Sequence, residues 1–235
     1  VGLILEPVPA ALVGFTGISV IALLGLMGSP KDGITWALSG FSNSVIWLIF
    51  AAFMFALGYK KTGLGKRVSL VMIKYMGKSS LGLGYAVAFS DLVLSPFMPS
   101  NTARSAGTIY PVASNIPLIF DSTPEHEPRK LGAYISWVAI ATTCVTSSMF
   151  LTALAPNLLA VDLINKGTGH MISWGAWASI MLPLMIPLFL LTPWLVYVVY
   201  PPTQKTSPEA PAWAAEELKK LGGITSKELL MAGLA

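Results

Sequence analysis

Four stretches of this chain carry no charged residue, and each is long enough to cross a lipid bilayer. They lie between Glu6 and Lys31, Asp32 and Lys60, Lys130 and Asp162, and Lys166 and Lys205. Roughly 20 apolar residues suffice to cross about 30 Å of hydrocarbon. One such run also fits a buried helix of a large soluble protein, but four within 235 residues argue against that. Composition agrees. Charged residues are 11% of the chain and hydrophobic residues 54%, whereas a soluble domain needs about 25% charged residues to wet its surface. The expected class is an all-α, polytopic membrane protein.

The net charge of +4 sits beside these runs, so it reports membrane orientation rather than a nucleic-acid footprint. Lys60, Lys61, Lys66, Arg67, Lys74 and Lys78 cluster after the second run, and an excess of Lys and Arg marks the cytoplasmic side. Counting spans from there puts Arg129, Lys130, Lys205, Lys219, Lys220 and Lys227 inside and Lys31 and Lys166 outside. Lys60, Arg67, Lys74 and Lys78 have one-face helical spacing. That suits an interfacial helix on the inner leaflet, or equally an ordinary solvated face. The lone Cys144 falls inside a run and is expected to be a small core residue.

From Ser79 to Phe120 the chain is apolar but interrupted by Pro96, Pro99, Pro111 and Pro117, and it holds Asp91 and Arg104. Pro99 donates no backbone hydrogen bond and biases Met98 away from helix. A helix starting near Ser80 should therefore stop around Pro96 to Pro99, and another should start at Ser100 to Thr102. Helix starts attract anions through unpaired N–H groups. Two readings stand: a broken, re-entrant hairpin with an anion site near its tip, or two complete spans joined by an external turn. Charges within a membrane are costly and face a cavity or a partner. Arg104 therefore reads as a carboxylate ligand or a fixed cation, and Asp91 as its counter-ion. A salt bridge that only locks the hairpin is the alternative.

A second irregular region follows Lys130. Thr142, Thr143, Thr146, Ser147, Ser148 and Thr152 precede Ala155, Pro156 and Asn157, and Pro156 should break the helix. Paired broken helices are the expected makings of a transporter site, with the hydroxyls facing the Ser100 to Thr102 tip or back-bonding to their own helix. After the last run, Pro201, Pro202 and Pro208 lead to a short amphipathic helix over residues 212–221. Thr225 and Glu228 have capping-box spacing ahead of a further apolar run. With Val1 at the front and that helix only starting at the end, the chain is expected to be part of a longer protein.

No catalytic pattern emerges. His126 and His170 fall in loops, and HExxH and GxSxG are absent. Gly58 and Gly63 have phosphate-loop spacing, but Leu64 stands where lysine is needed. The chain is not expected to be an enzyme or to carry a cofactor.

LEPVPA near the start, LSGFSNSVIWLIFAAFMFALGY in the second run, SPFMPSNTARSAGTIYPV in the hairpin and SSMFLTALAPN in the broken helix together resemble the divalent anion/sodium symporter family. Within it, the likeness is to the bacterial citrate/succinate and tartrate/succinate antiporters and the plastid 2-oxoglutarate/malate translocators. The resemblance covers essentially the whole chain. It implies the N-terminal half of an inverted-repeat elevator carrier, homodimeric, in the bacterial inner membrane, moving di- and tricarboxylates such as citrate, succinate, tartrate, malate or 2-oxoglutarate. Residues 1–78 would be scaffold-type spans and the interfacial helix. Residues 79–162 would be the transport-type region, 163–202 a further span, and 203–235 the cytoplasmic connector and the start of the next helix.

In this resemblance Ser100, Asn101 and Thr102 match the carboxylate-binding motif of the hairpin, with Arg104 beside them. Thr152, Ala153, Pro156 and Asn157 would line the site from the broken helix. A second motif would come from the other half. Sodium-coupled relatives place a hydroxyl residue one turn before the motif and a glycine in the broken helix, where this chain has Pro96 and Ala153. The expectation is therefore anion exchange with no sodium or other metal site and with Arg104 as a fixed positive charge. Sodium-coupled dicarboxylate symport and an anion channel are the alternatives.

Overall fold

The computed structural model describes residues 5, 8–26 and 28–234, and its regular elements are helices. The chain divides into two compact units, Val1–Phe50 and Ala51–Ala235. In the first, α1 (Ala10–Leu24) ends at Gly25, whose left-handed backbone closes the helix with N–H bonds to Ala22 and Ile21. Then α2 (Pro30–Leu38) starts at Ser29, whose hydroxyl accepts from the Asp32 N–H at 3.2 Å. Gly33 lets α2 approach α1, since a Cβ there would lie 3.2 Å from the Ala22 backbone. With 15 residues, α1 is about 22 Å long at ~1.5 Å per residue. The apolar run after Glu6 therefore does not form one full-length span.

Helix α3 (Ser44–Thr62) leads into the second unit, which then contains α4 (Leu64–Met76), α5 (Ser80–Leu94), a π-helix (Thr102–Ile109), and the short α6 (Tyr110–Ala113) and α7 (Asn115–Ile119). After a loop come α8 (Gly132–Met149), a 3-10 turn (Leu151–Ala153), α9 (Ala155–Thr168), α10 (Trp174–Val199), α11 (Glu209–Leu221) and α12 (Ser226–Leu234). Among the described residues, α3 and α10 are the two helices long and apolar enough to cross a membrane. Both expose large apolar side chains, such as Phe53 and Leu57 on α3 and Leu184, Leu191 and Val198 on α10. Contiguous apolar surface of this kind suits lipid.

Helices α5 and α8 are different. They form the centre of the unit, packed on each other and on α10, with Leu83, Ala86, Leu94, Tyr134, Ile135 and Val138 fully or almost fully buried. Gly84 allows this contact, because a Cβ there would lie 2.1 Å from the Tyr134 hydroxyl oxygen. That hydroxyl donates to the Pro193 carbonyl at 3.2 Å, and Tyr85 donates to the Leu190 carbonyl at 2.7 Å. These two bonds tie α5 and α8 to the backbone of α10, a helix that holds Pro183, Pro187 and Pro193 in its interior.

The basic residues expected on one side do gather at one end. Segment 203–207 runs beside the turn before α5 and the loop before α8, with Ser80 N–H to the Lys205 carbonyl, Ser207 N–H to the Lys78 carbonyl, and Thr203 N–H to the Arg129 carbonyl. Arg129 and Lys205 stack over Tyr200 and Tyr197 at the end of α10, 4.6 and 4.7 Å from the ring centroids. Two sequence expectations need correction. Lys60 does not continue the face of Arg67 and Lys74, because Gly63, at φ +80°, ends α3 and starts a separate helix. Cys144 is exposed, since the buried face of α8 is taken by its neighbours Thr142, Thr143 and Thr146.

Helices α11 and α12 are held on α4. Arg67 donates to the Glu228 carboxylate at 2.8 Å and to the carbonyls of Gly222 and Gly223 at 3.0 and 3.1 Å. Thr225 and Glu228 form the expected capping box, at 2.7 and 3.2 Å. The Arg67 bond and the Thr225 N–H hold the Glu228 carboxyl down from 4.5 to about 2. A carboxylate depressed in the folded state contributes stability that is present above its ordinary value and lost as pH falls through the folded one.

Two outcomes follow from this packing. Amide exchange in α12, corrected for intrinsic rate, should speed up by about tenfold or more as pH falls below the ordinary carboxyl value, and Glu228→Gln should show the faster exchange already at neutral pH. Gly84→Ala should destabilise the detergent-solubilised protein by about 1–3 kcal/mol, as overpacking does. Gly167→Ala, where the added Cβ meets open space within helix α9, should leave the melting temperature the same or slightly higher.

Candidate functional site: a buried arginine between two helix breaks

The first break is where proline chemistry demands it. Helix α5 stops at Leu94, the chain passes through Pro96 and Pro99, and helix resumes at Asn101. Ser100 caps the restart, its hydroxyl accepting from the Ala103 N–H at 3.3 Å and its carbonyl from the Arg104 N–H at 2.9 Å. The restart then widens into π-helix over Thr102–Ile109, where the Thr108 hydroxyl donates to the Ala103 carbonyl at 2.9 Å. Nothing in the spacing of these residues foretells a π-helix, a geometry that recurs at functional sites. The second break also falls as expected: α8 ends at Met149 and α9 starts at Ala155, with Pro156 in its first turn.

The two breaks meet. The Ala155 N–H donates to the Pro99 carbonyl at 3.1 Å, and the Thr152 hydroxyl to the Pro96 carbonyl at 2.7 Å. Asn157 reaches back to cap the end of α8, its amide donating to the carbonyls of Ser147 at 2.8 Å and Phe150 at 3.3 Å. Backbone freed at one break is thus satisfied by the other, as a water-poor interior requires.

Arg104 lies between them with no exposed surface. Its Nε donates to Asp91 Oδ1 at 3.2 Å, and its Nη1 to the carbonyls of Met98 at 2.8 Å and Ala153 at 3.0 Å. Its Nη2 faces Asn101 Oδ1 at 3.1 Å and the hydroxyls of Thr143, Thr146 and Ser147 at 3.3 to 3.4 Å. Asp91, 2% exposed, accepts from the Thr146 hydroxyl through its other oxygen. The salt bridge between Asp91 and Arg104 is therefore formed, and the ionised pair carries no net charge. A carboxylate could reach the guanidinium only by displacing one of these partners.

The other expected site residues divide in two groups. Thr102 is exposed, and Ser100 and Asn101 are half-buried at the tip. Thr102 lines two cavities, one of about 320 Å³ shared with Asn101, Ser105 and Thr143 and one of about 480 Å³ shared with Ser100 and Lys60. Thr152 borders a smaller cavity with Pro96 and Pro99, whereas Ala153 is buried and offers its carbonyl to Arg104. Pro156 is exposed, and Asn157 is spent on its cap. The hydroxyl face of Thr143, Thr146 and Ser147 is the part whose role sequence reasoning left open. Its signal is the three- and four-residue spacing that puts these groups on one side of α8.

A family model described as the sodium:sulfate symporter transmembrane region matches residues 1–235. The chain belongs to this family. The divalent anion/sodium symporter resemblance of the two breaks is thereby borne out, and the chain is an integral membrane protein of a transporter family. Among its relatives, the L-tartrate/succinate antiporters of Escherichia coli K12, Escherichia coli UTI89 and Shigella flexneri are each 52% identical over 248 residues. Those alignments take in 100% of this chain and 51% of the relative, so the chain spans about half the length of the curated relatives it matches.

In this family member, the Asp91 and Arg104 pair should behave as a unit. Asp91→Asn or Arg104→Gln alone should each cost about 3–5 kcal/mol, because each leaves a buried charge unpaired. The double variant should cost clearly less than the sum in thermal unfolding of the purified protein.

Proposed function

We propose that the full-length protein exchanges dicarboxylate or tricarboxylate anions across the bacterial inner membrane, and that the two helix breaks form half of its carboxylate site. The observation that carries this reading is the tip of the first break, where Ser100, Asn101 and Thr102 border open cavities while Arg104 behind them is tied down by its partners. Side-chain amide and hydroxyl donors at a helix start are suited to a carboxylate. In this reading the hairpin is re-entrant, and residues 79–162 move as the transport-type part of an elevator against residues 1–78. Residues 163–202 add a span, and residues 203–235 connect to a second half that supplies the matching motif in a homodimer. Thr152, Ala153, Pro156 and Asn157 build the wall behind the tip.

Exchange is favoured over sodium coupling by the position of Arg104. A sodium ion needs a cage of oxygen ligands, and here the carbonyls of Met98 and Ala153 are bonded to the guanidinium. Arg104 thus takes the place a coupling cation would need, and it serves the substrate through the Asn101 side chain it holds. Tartrate and succinate are the first substrates to try, since the relatives are named for them.

In proteoliposomes, uptake of labelled succinate should require a dicarboxylate inside and should be indifferent to a sodium gradient. Uptake driven by sodium alone would overturn exchange. Asn101→Ala should raise the KM by about 10- to 100-fold, the worth of one hydrogen bond to a charged group at about 1.5–3 kcal/mol.

A further inference from the structure

Asn101 carries an amide whose two ends look alike in shape but not in chemistry, and its surroundings decide which end faces the cavity. A guanidinium only donates. The Arg104 Nη2 at 3.1 Å therefore requires the oxygen of the Asn101 amide to point inward. A second group holds the same oxygen: the Ser147 hydroxyl, 4% exposed, lies 2.5 Å from Asn101 Oδ1. Ser147 also back-bonds to the Thr143 carbonyl in its own helix, a bond that serines on helices commonly make, so its single proton is shared between the two acceptors. Of the two bonds that Ser147 donates, the one to Asn101 ties α8 to the hairpin tip. With its oxygen gripped from two sides, the Asn101 amide nitrogen has no partner among the described residues, and Asn101 lines the cavity of about 320 Å³.

We propose that Ser147 is a positioning residue: its hydroxyl, acting with Arg104, locks the Asn101 amide with oxygen inward so that its N–H groups are what the site offers to a substrate carboxylate. This rests on the reading of Asn101 as a carboxylate ligand. The lock matters because the opposite orientation would turn the amide oxygen toward an anion, and one rotation of the side chain separates the two. Holding the amide in advance removes the ordering cost from binding. Loss of the Ser147 hydroxyl leaves a single Arg104 contact on the oxygen and widens the range of amide orientations. The consequence is weaker binding with the remaining machinery intact.

The test is a double-mutant cycle on the full-length protein reconstituted for succinate exchange. Ser147→Ala should raise the KM about tenfold, with maximal rate and yield of reconstituted protein unchanged. Ser90→Ala, which removes another buried hydroxyl that only back-bonds to the Ala86 carbonyl, should leave the KM as it was. In an Asn101→Ala background, Ser147→Ala should change nothing further, since there is no amide left to hold. An equal rise in both backgrounds, a wild-type KM for Ser147→Ala, or a fall in yield and rate at unchanged KM would each overturn the proposal. If Asn101→Ala transports nothing, so that the cycle has no KM to read, Ser147→Thr decides: a KM near wild type upholds the role of the hydroxyl, and a KM like that of Ser147→Ala defeats it. Asn101→Ala with an unaltered KM is a different result, which removes Asn101 from the site altogether.

Discussion

A guanidinium buried in a dry interior must place five N–H groups on acceptors, and the hairpin that carries Arg104 does not contain enough of them. Asp91, Asn101 and the Met98 carbonyl come from the hairpin itself, while the Ala153 carbonyl and the hydroxyls of Thr143, Thr146 and Ser147 come from the second broken helix. The two breaks are therefore obliged to lie together. The close approach of α5 to α8, admitted by Gly84, serves the same end. Each break supplies what the other lacks, since the Pro96 and Pro99 carbonyls are met by Thr152 and Ala155.

This arrangement separates the helices into two kinds. Helices α3 and α10 expose apolar side chains over most of their length, whereas α5 and α8 are buried and carry the polar network. In lipid, apolar side chains gain little by packing on each other, so close contacts at small residues and bonds between polar groups do most to hold helices together. The glycine contact at Gly84 and the tyrosine bonds to the carbonyls of α10 belong to that class. At the basic end, where water is available, the Arg67 and Glu228 clamp and the strap of residues 203–207 use ordinary soluble-protein chemistry.

Much of this was legible in the chain itself. Both breaks fall where Pro96, Pro99 and Pro156 require them, the capping box at Thr225 and Glu228 forms as its spacing implies, and the basic residues share an end as their positions between apolar runs suggest. Other features were not legible. Gly63 can continue a helix at modest cost, and only its left-handed backbone reveals that α3 ends there. The exposure of Cys144 depends on which face of α8 packs inward, and a small cysteine beside Thr143 carries no mark of its own. The π-helix has no sequence signature at all.

What the sequence determined by itself was the class of molecule, the places of the two proline breaks and the family, because charge exclusion and proline geometry act locally and leave a mark at each residue. Tertiary structure alone decided what Arg104 does. In the sequence it reads as a carboxylate ligand, a fixed cation or the partner of Asp91, and spacing does not choose among them. In the fold its charge is cancelled by Asp91, and its donors are turned inward onto partners up to 49 positions away. Contacts at that separation depend on how two broken helices pack, and no local rule of spacing contains that information.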